Sequence, residues 1–218
     1  MKKILFLCVV SVFGLSIEGK AQGWFAGVEG GYIKHEFNPK YTFVGGGSAE
    51  FHDTSDGLEL GLVAGYDFAV AERFSLLTQF RGAWNNSEWT LFLPGEPARF
   101  KYDNPVTLGL SAQPTFKISD KLGIFAELGI LEGKFNEEKR SPSSIRSSYD
   151  FSDWIFGYTL GGGISYRFTD ALECRLGYRK TIYNDFSYAA RFPSGSRRST
   201  VRDEPESESF TLSFLYRF

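Results

Sequence analysis

The chain has 218 residues, with 24 Lys and Arg against 26 Asp and Glu, so a net charge of −2 leaves no basic excess for nucleic acid. It is rich in aromatics, at 17%, yet its mean hydropathy is mildly negative. Beyond the N-terminus no apolar run reaches the roughly 20 residues of a spanning helix, which excludes a helical membrane protein.

Lys2 and Lys3 precede an apolar run over 4–17, and Glu18, Gly19, Lys20 and Ala21 follow it. A charged start, a short apolar stretch and small residues at the exit predict a cleavable signal peptide over 1–21. The mature domain is then 22–218. Removing the leader takes away Lys2, Lys3, Glu18 and Lys20 and moves the net charge from −2 to −4. It also takes away Cys8 and leaves Cys174 alone, so no internal disulfide is possible.

From there the chain alternates with period two, the signature of strands. The first predicted strand, 24–37, sets Trp24, Ala26, Val28 and Tyr32 against Glu29. The second, 58–68, sets Leu58, Leu60, Leu62, Ala64, Tyr66 and Phe68 against Glu59 and Asp67. The third, 74–84, sets Phe74, Leu76, Thr78, Phe80 and Trp84 against Ser75, Gln79 and Arg81. The fourth and fifth, 106–118 and 122–130, put Gln113 and Glu127 opposite their apolar rows. The sixth, 154–168, carries Trp154, Phe156, Tyr158, Leu160, Ile164, Tyr166 and Phe168 on one face. The seventh, 172–182, puts Glu173, Arg175 and Arg179 behind Leu172, Cys174, Leu176 and Tyr178. The eighth, 210–218, alternates Phe210, Leu212, Phe214, Tyr216 and Phe218 with Thr211, Ser213, Leu215 and Arg217.

Most of these segments reach the roughly 9–11 residues that cross a bilayer as a tilted strand. The joints 69–73, 119–121 and 169–171 are short. The stretches 38–57, 85–105, 131–153 and 183–209 are long and polar, and are expected to be loops. Strict alternation of short and long joints is the asymmetry of a membrane barrel with short periplasmic turns and long extracellular loops. A spanning sheet must close, because lipid satisfies no backbone N–H or C=O. A soluble barrel of this sequence would need its apolar row inside, and an eight-stranded bore is too narrow for that many Trp, Tyr and Phe. The predicted fold is all-β: a transmembrane antiparallel up-and-down barrel of eight strands, preceded by a cleavable signal peptide. Even-numbered side chains are expected in lipid, and odd-numbered ones in a filled hydrophilic bore.

With its leader, loop asymmetry and terminal aromatic, the chain resembles the small outer-membrane barrels of the OmpA-barrel and OmpX/Ail type. The joints from Asp67 to Phe74 and from Tyr166 to Leu172 are similar to strand-turn-strand joints of that family. The resemblance implies a bacterial outer-membrane location with both ends periplasmic. It implies that Phe210, Phe214, Tyr216 and Phe218 form a C-terminal signal read by the barrel assembly machinery. Expected partners are outer-membrane lipid and lipopolysaccharide, and the expected state is a monomer. No cofactor, metal or nucleic acid is expected.

At the strand midpoints Glu29, Gln79, Arg81, Gln113, Glu127, Arg175 and Arg179 are expected in the bore at similar depth. An unpaired buried charge is costly, so they should pair. Such a network is either a polar plug or a gate in which Arg81, Arg175 and Arg179 trade between Glu29 and Glu127. Signals for catalysis are weak. His35 and His52 with Asp53 lack ligand spacing for a metal, and nothing in the pattern puts either on an activated Ser. Gly45 to Gly47 lacks the Lys of a phosphate loop. The long stretches are the better place for function. The last one combines Arg191, Arg197, Arg198 and Arg202 with Phe186, Tyr188 and Phe192, aromatic anchors for a surface protein or glycan. The expected role is structural or interactive and non-enzymatic. A narrow pore is the alternative, and a lipid A-modifying hydrolase a distant one.

Overall fold

The computed structural model describes residues 21–43, 45–92, 99–140, 150–191 and 198–218. The predicted leader therefore lies almost wholly outside the described residues. Within them the chain forms β1 (Ala21–Phe37), β2 (Lys40–Phe43), β3 (Ser48–Glu50), β4 (Asp53–Ala71), β5 (Phe74–Asn85), β6 (Glu88–Phe92), β7 (Arg99–Lys117), β8 (Leu122–Arg140), β9 (Asp150–Arg167), β10 (Leu172–Tyr183), β11 (Phe186–Arg191), β12 (Arg198–Asp203) and β13 (Glu206–Arg217). Eight of them run around one ring, in the order β1, β4, β5, β7, β8, β9, β10, β13. The β1–β13 and β5–β7 ladders complete it, and every pairing is antiparallel. The result is the predicted closed up-and-down barrel of eight strands, with its three short turns at one rim.

The wall obeys the period-two reading. Among the described residues, every large apolar side chain that stands well exposed has an even number, from Trp24 through Leu62, Leu160 and Phe214 to Phe218. Hydrocarbon solvates this face, so exposure there means contact with lipid. On the inward side, Tyr102 and Asn104 break the odd-number rule. A bulge lies between Asp103 and Val106, around Pro105, and shifts the β7 register against β8. The shift exchanges the two faces of everything beyond it.

The expected hydrophilic bore needs a correction, because the alternation changes phase near one rim. On β8, Leu122, Ile124 and Leu128 point out and Glu127 points in; further along, Glu132 points out while Leu131 and Phe135 point in. On β1, Tyr32 is the last outward aromatic, Lys34 and Glu36 follow it, and Ile33 and Phe37 are buried. The spanning part of β1 is therefore 24–32. Beyond the belt the wall has water outside and an apolar filling inside.

The long stretches read as loops are also largely strand. β4, β7, β8 and β9 extend well past the predicted ends. β11, β12, β2 and β3 make a second, four-stranded sheet beyond the rim. Gly45, Gly46 and Gly47, with φ of 112°, 101° and 97°, form the turn between β2 and β3, a conformation that side chains resist. Polar composition misled the reading here. A short strand with one wet face looks like a loop unless its inward residues are weighed.

Candidate functional site

Among the described residues, ionisable side chains from many strands meet in the bore, which has three levels. In the middle, Arg81 on β5 donates through Nε to Glu29 Oε1 at 2.7 Å and through Nη1 to Thr107 Oγ1 at 3.2 Å, and it also pairs with Glu59. Arg179 on β10 reaches Glu29 Oε1 at 3.2 Å and Glu127 Oε2 at 3.2 Å. Ser213 on β13 donates to Glu29 Oε2 at 2.9 Å. Glu29 thus ties three other strands to β1. All five charged groups are buried, and removing such ions from water costs several kcal/mol each unless geometry compensates.

Nearer the turns is a second cluster. Glu173 on β10 accepts from Arg175 Nε at 2.7 Å and from Arg217 Nη1 at 2.5 Å, and Arg217 Nη2 reaches Asp67 Oδ2 at 2.8 Å. Arg175 also donates to Gln113 Oε1 at 2.5 Å, and its guanidinium lies over the Phe125 ring, 5.0 Å from the centroid. Arg175 therefore does not join Glu29 and Glu127 as expected. The two clusters sit at different depths. Phe25, Val63, Leu77 and Leu215 add an apolar patch inside this half. Inward rings fit because the paired residue on the neighbouring strand is glycine, Gly65 for Phe25 and Gly163 for Phe125. A Cβ on Gly65 would lie 2.8 Å from the Phe25 ring, and one on Gly163 would lie 2.9 Å from the Phe125 ring.

Beyond the belt the bore holds Phe37, Tyr41, Trp89, Tyr102, Leu131, Phe135, Ile155, Tyr183 and Val201, all buried together. Phe37 and Trp89 stack with centroids 5.4 Å apart. The hydroxyls of Tyr41 and Tyr102 bond at 3.0 Å, and those of Tyr102 and Tyr188 at 2.8 Å. Phe186 and Tyr188, expected as exposed anchors, are half-buried against this core. β11 alternates, and the core is where its apolar face goes. Arg202 stays exposed, between Asp185 at 2.9 Å and Glu204 at 3.2 Å. Arg191 and Arg198 are backbone partners at the end of the β11–β12 ladder. Phe192 and Arg197 lie outside the described residues.

Phe210, Phe214, Tyr216 and Phe218 all project from the outer wall, with Phe218 77% exposed. His35 is wholly buried above the belt, and neither ring nitrogen has a hydrogen-bond partner. Burial holds its pKa down at about 4. His52 Nδ1 bonds Asn38 Oδ1 at 2.5 Å. Neither histidine sits on a serine. Asp203 on β12 is buried and accepts from the N–H of Asn38 and of Glu204, both at 2.9 Å. Burial outweighs those two bonds and raises its pKa to about 6. Among the described residues no group of three or more His, Cys, Asp or Glu is placed to hold a metal ion.

Alternation puts Glu59, Glu173, Asp67 and Arg217 on the polar face, yet the expected network omits them. A count of inward charges would have shown that Glu29 and Glu127 cannot serve so many cations. It would not have shown which acid meets which arginine.

The model of the outer membrane protein beta-barrel domain family matches residues 9–218. Among solved structures, the outer membrane protease OmpT from Escherichia coli is 8% identical, with a TM-score of 0.54, covering 94% of this chain and 99% of its own. The outer membrane protein OprG from Pseudomonas aeruginosa is 14% identical, with a TM-score of 0.51, covering 93% and 100%. The Neisserial surface protein A is 15% identical at a TM-score of 0.49, covering 91% and 99%. At these identities the likeness is one of fold. No curated protein sequence matches the chain.

Proposed function

The chain belongs to the outer membrane protein beta-barrel domain family, and from that premise we propose that it is a closed, non-conducting and non-enzymatic barrel of the bacterial outer membrane. In this reading it carries a folded β-sheet platform at the cell surface for contact with a protein or glycan. One observation carries the proposal: the surface half of the bore is packed with aromatic side chains and capped by the β11–β12–β2–β3 sheet. The cavities inside the bore around the charge clusters have room for about 10–20 Å³, little more than one water each. A conduction path for solutes needs connected water, so this filling weighs against the pore alternative. The partnerless His35 ring and the His52 bond to Asn38 weigh against a hydrolase.

The remaining partners follow the outer surface. Lys34 and Lys180, just above the belt, are within reach of lipopolysaccharide phosphates. The aromatic row of β13 is the segment for the assembly machinery to read. The barrel serves as a monomer, because its ring of strands and its aromatic core are both completed within one chain.

Planar-bilayer recording tests the closed bore: silence is expected, and steady conductance of single barrels overturns it. Replacing 186–203 by a short turn tests the platform. Loss of cell-surface binding with normal barrel assembly is expected, and unchanged binding counts against it.

A further inference from the structure

The mouth at the turn end of the bore is lined by more cations than acids. Lys117, Arg167, Arg175 and Arg217, with Lys121 from the β7–β8 turn, line a pocket there. The same lining holds two acids, Asp120 and Glu173, and Asp67 just outside it is bonded to Arg217. The middle level has the opposite balance, with Arg81 and Arg179 facing Glu29, Glu59 and Glu127.

Glu173 is shared three ways at the mouth, by Arg175 at 2.7 Å, Arg217 at 2.5 Å and Arg167 at 3.6 Å. Arg217 is only 8% exposed. The buried Nε atoms of Arg167 and Arg217 have no hydrogen-bond partner. Ser75, Thr115 and Ser165 add hydroxyls to the same lining. Two buried guanidinium donors without partners, in a lining with more cations than carboxylates, call for an added anion.

We propose that the turn-end mouth of the barrel is a phosphate-binding site, formed by Lys117, Lys121, Arg167 and Arg217 around Glu173, that takes a phosphate monoester. The cavity at its base, about 20 Å³, admits one phosphate oxygen while the rest of the group lies across the opening. A monoester brings a charge of about −1.5 to −2 and three acceptor oxygens, more than a single carboxylate offers to a lining so rich in donors. Guanidinium groups suit phosphate geometry. Phe74, Phe116, Leu122 and Tyr166 ring the barrel wall at this end and mark the depth of lipid headgroups. The phosphate is thus either a soluble periplasmic ion or a headgroup of the inner leaflet.

The test uses the whole barrel, refolded in octyl glucoside, which contains no phosphate, and titrated calorimetrically with inorganic phosphate. In parallel, urea midpoints are read in phosphatidylcholine vesicles with and without phosphatidic acid, since a ligand bound only by the folded state raises them. The variant is Lys117→Gln with Arg167→Gln, which spares the Glu173–Arg217–Asp67 bonds. A heat-modifiable gel shift certifies that it folds. A control carries Lys40→Gln and Lys101→Gln at the opposite end, beyond the belt. The site predicts about tenfold or greater weakening in the mouth variant and none in the control, as expected for losing charge-assisted hydrogen bonds. Weakening for inorganic phosphate identifies a soluble ion, and a loss confined to the phosphatidic acid effect identifies a headgroup. Either supports the site. No binding of either probe by the unmodified protein overturns it, as does equal binding by the mouth variant or equal loss in the control.

Discussion

The two halves of this barrel are built as opposites. Within the belt, Leu60, Leu128 and Leu160 face out and Glu29, Arg81 and Arg179 fill the bore; beyond it, Lys34, Glu132 and Lys134 face out and Phe37, Leu131 and Phe135 fill it. One continuous strand, such as β8, serves both. The apolar side chains go wherever water is not, outward in hydrocarbon and inward in water. The halves should therefore fail differently. The polar level is held by a few directional bonds among ions that are costly to leave unpaired. The aromatic level is held by packing.

Glu29→Ala should give the largest effect. It removes a carboxylate from two arginines and from Ser213, and breaking buried ion pairs costs about 3–5 kcal/mol. The urea midpoint of the whole barrel should fall. An unchanged midpoint would mean that Glu59 and Glu127 suffice alone and that the middle level is not cooperative. Leu131→Ala, one turn of the phase away, should cost about 2–5 kcal/mol as a cavity mutation. That loss should appear as faster proteolysis of the tip, with the heat-modifiable gel shift intact. If the gel shift were lost as well, the two halves would be one folding unit.

The third contrast is pH, and it concerns the surface half alone. Asp203 has a folded pKa of about 6 against an ordinary 3.8, so its contribution is present at low pH and is lost as pH rises through about 6. His35 has a folded pKa of about 4 against 6.5, so its contribution is present at high pH and is lost as pH falls from 6.5 towards 4. The windows overlap with opposite signs, and the tip should be nearly indifferent to pH between them. His35→Phe should make the tip more stable on acidification, and Asp203→Asn should make it less stable, each by about 3 kcal/mol at roughly 1.4 kcal/mol per unit. Urea midpoints of the tip followed by tryptophan fluorescence give the measurement, and parallel pH profiles for both variants and the parent would refute the assignment. The smallest effect belongs to Tyr188→Phe. Loss of its bond to Tyr102 should cost about 1 kcal/mol and be seen as faster amide exchange in β11, with packing otherwise kept.

Alternation in the chain was enough to specify eight spanning strands, the lipid-facing row from Trp24 to Phe218 and the inward placement of Glu29, Arg81, Glu127 and Arg179. Those features depend on period two along single strands, and the hydrophobic effect acts there residue by residue. The pairing of Arg175 with Glu173 rather than Glu127, the inward turn of Phe186 and Tyr188, and the reversed face of Tyr102 beyond the β7 bulge were not legible. Each depends on which strands lie opposite across the closed ring and at what register. Local alternation specifies a side of the wall, whereas the depth and partner of a side chain follow from closure of the whole barrel.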